Sequence, residues 1–454
     1  MFKKKTPQYL FKKTLVLALA GLSSTTAWAA ATDSDALLQE MRRLAQRVEQ
    51  LEAANKKLES ALGRSGNADV KEMAARIEDV ENEVLALRKP SALEEALDGV
   101  SASASLTMVA QHASGGSVDG GQLTGRADVE VELPGGSIGD AEGKIFAHLR
   151  AGDGDGVDTG AFATSNATAF NFAQPVLMQA WYQLDIPVGG KTGSLGQVEV
   201  TAGKIDPFGF FDGNNIADDE SEQFLNLAFI HNPLLDAGGD IGVGEHGASP
   251  GLRLAYVSDI NSGNRITASL GLFGAGEGAN YSDTFGKHLT IAQLEYAGKT
   301  FGGLEGAWRL YGWNNGRAED LADPANQERH TGWGVSIDQQ VADHVTLFTR
   351  LGLSTKGEVA FDRAFTLGAQ FDGGLWGREN DRIGLAAGWL KVSDEYKLAN
   401  PGFSGAEKPL ELYYAWQLND NLQLSPSVQW IGNPGGDPTA DDVTVFSLRA
   451  KAAF

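Results

Sequence analysis

Several strings in this chain have the spacing of catalytic or ligand-binding motifs, and each can be tested against the chemistry it would have to perform. Gly247-Ala248-Ser249-Pro250-Gly251 matches G-x-S-x-G, the turn that presents a nucleophilic serine. The residue after that serine must lend a backbone N–H to an oxyanion, and Pro250 has none. Gly242-Val243-Gly244-Glu245-His246-Gly247 matches a phosphate-cradling G-x-G-x-x-G, but no helical pattern follows it. Asp153, Asp155 and Asp158 offer oxygens suited to Ca²⁺, yet the twelve-residue loop ending in a bidentate Glu is missing. The seven histidines lack metal-ligand spacing, and with no cysteine there is no thiolate ligand, thiol nucleophile or disulfide. No Ser/His/Asp constellation stands out. The sequence therefore assigns no enzyme activity, no metal and no cofactor.

What remains is a large set of charged residues placed two apart, and the elements that carry them decide their use. The chain opens with Lys3, Lys4, Lys5, Lys12 and Lys13, then the apolar run 14–22, then Ala27-Trp28-Ala29. That is a secretory signal peptide over 1–29. From Asp33 the composition becomes helical. Leu37, Met41, Leu44, Val48, Leu51, Asn55, Leu58 and Leu62 follow an alternating four-three spacing, the a/d seam of a coiled coil. So narrow a stripe needs partner strands, which predicts a homo-oligomer through a segment spanning 30–90. Asn55 at an a position would fix register. Two or three chains remain open on this spacing, and a membrane base favours three.

From 101 to 454 about sixteen segments of roughly ten residues alternate with period two, separated by Gly, Asp and Asn clusters. In 410–418, Leu410, Leu412, Tyr414, Trp416 and Leu418 share one face, opposite Glu411, Tyr413 and Gln417. Similar alternation marks 123–133, 265–272, 345–353 and 446–454. A soluble sandwich and a transmembrane barrel both alternate, with opposite faces outward. The strands here are long enough to cross a bilayer. Their polar faces are charged, and aromatics (Trp389, Trp416, Trp430, Phe446, Phe454) sit near segment ends as an interfacial girdle would place them. The expectation is an all-β, 16-stranded antiparallel transmembrane β-barrel preceded by an α-helical coiled-coil segment. Sixteen strands leave an open lumen. Pro426, within 422–430, predicts a bulge. The charge balance of 37 basic against 59 acidic residues, −22 overall, argues against nucleic acid as a partner.

Two long stretches carry a family pattern. The run 203–233 (GKIDPFGFFDGNNIADDESEQFLNLAFIHNP) resembles the signature of the carbohydrate-selective porins, the OprB family. The run 409–434 (PLELYYAWQLNDNLQLSPSVQWIGNP), followed by Gly435-Gly436, is similar to that family's penultimate hairpin. The resemblance covers most of 100–454 and leaves out the coiled coil. It implies a bacterial outer-membrane barrel, in contact with outer-membrane lipid, that passes small sugars by diffusion. The helical segment would then lie in the periplasm.

On that reading, parity places Arg126, Asp128, Glu130, Arg150, Glu199, Arg253, Arg265, Glu305, Arg309, Arg350, Arg382, Glu411, Arg449 and Lys451 toward the lumen. Interspersed charges of both signs would give neutral solutes a polar track; alternatively, they pair across strands and hold the wall in shape. The insertion 206–249 is too long for an ordinary hairpin. It carries Phe208, Phe210, Phe211, Asp212, Asp218, Asp219, Glu220, Phe224 and Phe229. It is expected to fold inward and narrow the barrel, with Asp218 capping a short helix that runs through Leu227; the alternative is an external loop covering the trimer surface. The competing functions are a general or anion-selective porin for small organic acids, and a tether to the cell wall through the coiled coil.

Overall fold

A computed structural model describes residues 99–115, 118–190, 195–237, 247–258, 263–274, 288–323 and 326–454. The stretches expected to form a signal peptide (1–29) and a coiled coil (30–90), with the proposed seam from Leu37 to Leu62, lie outside the described residues.

Period-two patterning becomes one closed antiparallel barrel of sixteen strands among the described residues. They are β1 (Ser101–Gly115), β2 (Val118–Ile138), β3 (Ala141–Asp153), β4 (Val176–Val188), β5 (Gly196–Ile205), β6 (Ser249–Val257), β7 (Arg265–Gly274) and β8 (His288–Lys299). There follow β9 (Glu305–Glu319), β10 (Gln327–Ala342), β11 (Val345–Lys356), β12 (Phe361–Asp372), β13 (Arg382–Val392), β14 (Ala406–Asn419), β15 (Leu422–Gly432) and β16 (Val443–Ala453). Each strand pairs with its neighbours in sequence, and β1 pairs with β16 to close the wall. Ala104 and Phe454 exchange backbone hydrogen bonds at 3.0 and 2.8 Å, extending the β1–β16 seam by one more pair. Short turns lie at the end of the barrel that carries Ser101 and Phe454, and the long connections lie at the other end.

The greasy face points outward. Leu412, Leu448 and Leu270 are 44%, 49% and 45% exposed, whereas the intervening Tyr413 and Arg449 are each 1% exposed. Trp389, Trp430 and Phe446 are exposed near the long-loop end of their strands, and Trp416 and Phe454 near the other. This inversion suits a wall surrounded by hydrocarbon.

Two local expectations need correction. Pro426 makes no bulge. It pairs with Leu448 in an unbroken β15–β16 ladder. On its other side the β14–β15 register is the same before and after it, from Tyr413↔Ser427 to Trp416↔Leu424. The missing N–H is absorbed by an interrupted ladder rather than by an extra residue. Asp218 caps no helix. The helix in this loop is only α1 (Leu227–Ile230), capped by Asn226, whose side chain accepts from the Ala228 N–H at 3.0 Å.

Candidate functional site

The connection between β5 and β6 turns into the barrel and lies across the lumen. Asp206 starts it, its carboxylate accepting from the Phe208 N–H at 3.0 Å to cap a 3₁₀ turn over Pro207–Gly209. The chain then doubles back through Asp212, which has a left-handed backbone (φ 60°) and is completely buried. Asp212 accepts from Tyr311 Oη at 2.6 Å, from the Asn232 N–H at 2.5 Å and from Arg350 Nε at 3.1 Å. Arg350, on β11, also donates to the carbonyls of Ala217 (2.7 Å) and Phe229 (2.9 Å). One guanidinium thus gathers three parts of the loop. Close approach needs a bare backbone beneath Asn232. A Cβ at Gly352 would collide with Asn232 Oδ1, and one at Gly334 would stand 2.5 Å from its Nδ2.

The far side of the loop is held in the same way. Glu411 of β14 accepts from the N–H groups of Leu225 (2.9 Å) and Asn226 (2.8 Å). Arg449 of β16 donates to the carbonyls of Glu220 (2.8 Å) and Gln223 (2.9 Å). Arg382 and Lys451 both bind Glu222, at 3.0 and 2.8 Å. Arg126 of β2 reaches Glu220 at 2.5 Å. Apolar packing adds to these bonds: Phe224, Phe229 and Ile230 cluster with Phe348 and Tyr413, and Phe211 with Phe273. Arg309 is buried between Glu295 and Asp338, and Asp338 in turn holds Asn215 at 2.5 Å. The charged wall residues thus sort by position. Arg350, Arg449 and Glu411 are covered by the loop they anchor.

The space left open lies against β1–β4. It is a cavity of about 620 Å³ lined on the wall by Arg126, Asp128, Glu130, His148, Arg150 and Lys451, and on the loop by Asp206, Phe208, Asp218, Asp219, Glu220 and His231. Asp128 sits at the centre of the wall side, bound by Arg126 (2.8 Å), Arg150 (2.6 Å) and His148 (2.8 Å). On the loop side the His231 and Phe208 rings stack at 3.7 Å and 2°. Burial opposes charge on His231, but its 2.7 Å hydrogen bond to Asp236 and the charge of Asp236 win and raise it to about 9. Burial also opposes charge on Glu220 and Glu222. Arg126 and Arg150 hold Glu220 down at about 2, and Lys451 with Arg382 do the same for Glu222. For Asp206 and Asp218 burial wins and lifts them to about 6 and about 7, against the charge of His231 on both and of Arg350, 3.6 Å from Asp218.

Other residues singled out by parity lie away from this cavity. Glu199 and Arg253 pair at 2.8 Å on β5 and β6, with the Arg253 guanidinium 4.6 Å from the Phe210 ring centre. Arg265 has an exposed side chain 4.0 Å from Glu295, and Glu305 is exposed at the start of β9, both near the short turns. Ser249 of the elbow-like string is buried, donating to the Gly274 carbonyl at 2.5 Å. The sequence does not announce a second inward loop. Residues 154–175 reach the lumen, where the Ser165 carbonyl accepts from Gln111 (3.1 Å) and Gln429 (2.7 Å). It meets the first loop through Leu227 N–H to Thr164 O at 3.0 Å. His148, Asp338 and Gln429 are further inward residues that the charge pattern passes over, although strand parity alone places them there.

A family model described as carbohydrate-selective porin, OprB family, matches residues 177–454. The chain belongs to this family. Porin B of Pseudomonas aeruginosa is 27% identical over 190 residues, 33% of this chain and 42% of that protein. Porin AaxA of Chlamydia caviae is 25% identical over 128 residues, 28% of each chain. The aligned parts therefore span less than half of these curated relatives. The high-pH structure of Pseudomonas putida OprB matches with a TM-score of 0.62 at 20% identity, over 80% of this chain and 96% of that one, a likeness of fold. As in other members of a porin family, the barrel is an outer-membrane one.

Proposed function

We propose that this chain is a passive pore for carbohydrates, mono- and oligosaccharides, across the outer membrane. The observation that carries the reading is the polar cavity beside the inward loop, whose volume of about 620 Å³ is of small-molecule size. Arg, carboxylate and hydroxyl groups on its wall exchange hydrogen bonds with sugar hydroxyls, and Phe208 offers a ring face to the apolar C–H face of a sugar. Passage involves no covalent step, metal or cofactor. The wall residues selected by parity serve in two ways: Arg126, Asp128, Glu130 and Arg150 face the solute, while Arg350, Arg382, Glu411 and Arg449 set the aperture by holding the loop.

The outward leucine rows contact outer-membrane lipid. Residues 1–29 direct export, and 30–90 form a periplasmic coiled coil that joins copies of the chain into a homotrimer. That segment also offers a surface for contact with the cell wall. Liposome swelling with the purified mature protein across a series of neutral sugars tests the pore. Swelling that falls with sugar size supports it, and liposomes that behave as protein-free ones refute it. Deleting 30–90 and measuring the oligomer in detergent tests the assembly.

A further inference from the structure

The cations on the passage are already occupied. Arg126 is bound to Asp128 and Glu220 at 2.8 and 2.5 Å, and Arg150 to Asp128 at 2.6 Å. Lys451 holds Glu222 at 2.8 Å and lies 3.8 Å from Asp219, and His231 holds Asp236 at 2.7 Å. These groups also fix the wall and the loop, so a passing anion would have to displace a structural partner. The carboxylates are not all used in this way. Of the lining residues, seven are Asp or Glu, against Arg126, Arg150, Lys451 and the cationic His231, which leaves an excess of negative charge. Glu130 stands exposed in the cavity, and neither it nor Asp206 has a Lys, Arg or His within ion-pair distance among the described residues. The Asp206 carboxylate holds only the Phe208 N–H. Glu130 comes from β2 and Asp206 from the loop, so carboxylates outside any ion pair stand on both sides of the opening, and the charge of His231 acts on Asp206 from a greater distance.

We propose that the passage sorts sugars by charge, admitting amino sugars that carry a protonated amine ahead of anionic sugars such as uronates, with Glu130 and Asp206 as the residues that set the preference. This rests on the porin reading above. A narrow aqueous section in a low-dielectric wall concentrates the field of fixed charges. A carboxylate outside any ion pair on each side, within a lining that is acidic overall, raises the local concentration of a cationic solute and lowers that of an anionic one. The contrast fades as salt shortens the screening length. Neutral sugars feel neither effect.

Efflux of glucosamine, glucuronate and N-acetylglucosamine from proteoliposomes at low salt and neutral pH tests this. Glucosamine is expected to leave about threefold or more faster than glucuronate. The paired change Glu130→Gln with Asp206→Asn should bring that ratio toward one; Asn keeps an oxygen to cap Phe208. Should the pair fold poorly, Glu130→Gln alone, on an exposed side chain without partners, should shift the ratio in the same direction. Equal rates in the unmodified protein, or a ratio that survives both changes, overturns the proposal. N-acetylglucosamine separates the two levels of inference. If it fails to leave, the pore reading has failed. If it leaves while the charged pair are equal, only the charge preference has.

Discussion

Arg350 Nε donates to Asp212 Oδ1 at 3.1 Å, joining residues far apart in sequence where neither side chain meets solvent. The pair links the wall of the barrel to the tightest bend of the loop that crosses it. Removing one member strands the other. Arg350→Ala should cost about 3–5 kcal/mol, the usual penalty for an orphaned buried charge. Single-channel recording should then show larger and noisier conductance than the unmodified pore. A trace of unchanged size and noise would mean that the loop keeps its place without this bond.

Gly352 tests the same docking by shape alone. A methyl group added there would run into the Asn232 amide, which lies directly over the glycine backbone. Gly352→Ala should cost about 1–3 kcal/mol through overpacking. Thermal unfolding in detergent should record the loss, and the open-channel current should rise with it.

Glu411 uses both carboxylate oxygens on consecutive N–H groups of the loop, Leu225 and Asn226. Glu411→Gln keeps the volume but turns one acceptor into a donor that faces a donor. The expected loss is about 1–3 kcal/mol. Faster proteolysis of the loop in the variant is the measurement, and equal cleavage rates would count against this anchoring role.

Proton linkage defines a window for the docked loop. Glu220 and Glu222 are held at about 2, below their ordinary 4.5, so their contribution is full above 4.5 and is lost as pH falls toward 2. His231 is raised from 6.5 to about 9, so its contribution is full below 6.5 and is lost as pH climbs through 9. Asp206 and Asp218 are lifted from 3.8 to about 6 and about 7, so each costs the docked loop stability as pH rises past 3.8, and the cost is complete once pH passes 6 and 7 respectively. Together these place the tightest docking at about pH 4, between the ordinary 3.8 of Asp and 4.5 of Glu, with a decline from there toward alkaline pH. Hydrogen exchange of amides in 206–237 should be slowest there. A protection profile that is flat from acid to alkaline pH would contradict the assignment.

The barrel wall was legible because alternation is a local property: a leucine row such as Leu410, Leu412 and Leu418 declares its face within nine residues. Parity likewise sent Arg350 and Arg449 inward. Their work could not be read, because each binds a loop segment set by long-range packing. The loop's short helix was misread at Asp218 because acids before Leu227 imitate a cap, while the Asp219 and Glu220 region is held by the wall and Asn226 does the capping. Residues 154–175 gave no sign of turning inward, since glycine, serine and threonine suit an external loop equally well.

The hydrogen bonds between Ala104 and Phe454 mean that the wall has two raw edges until β16 lies against β1. A chain that stops short of β16 cannot be a finished cylinder. Such a chain would offer unsatisfied backbone along both its first and its last strand, ready to join any other edge it meets. Until β1 and β16 meet, this polypeptide must therefore be kept from pairing with its own copies.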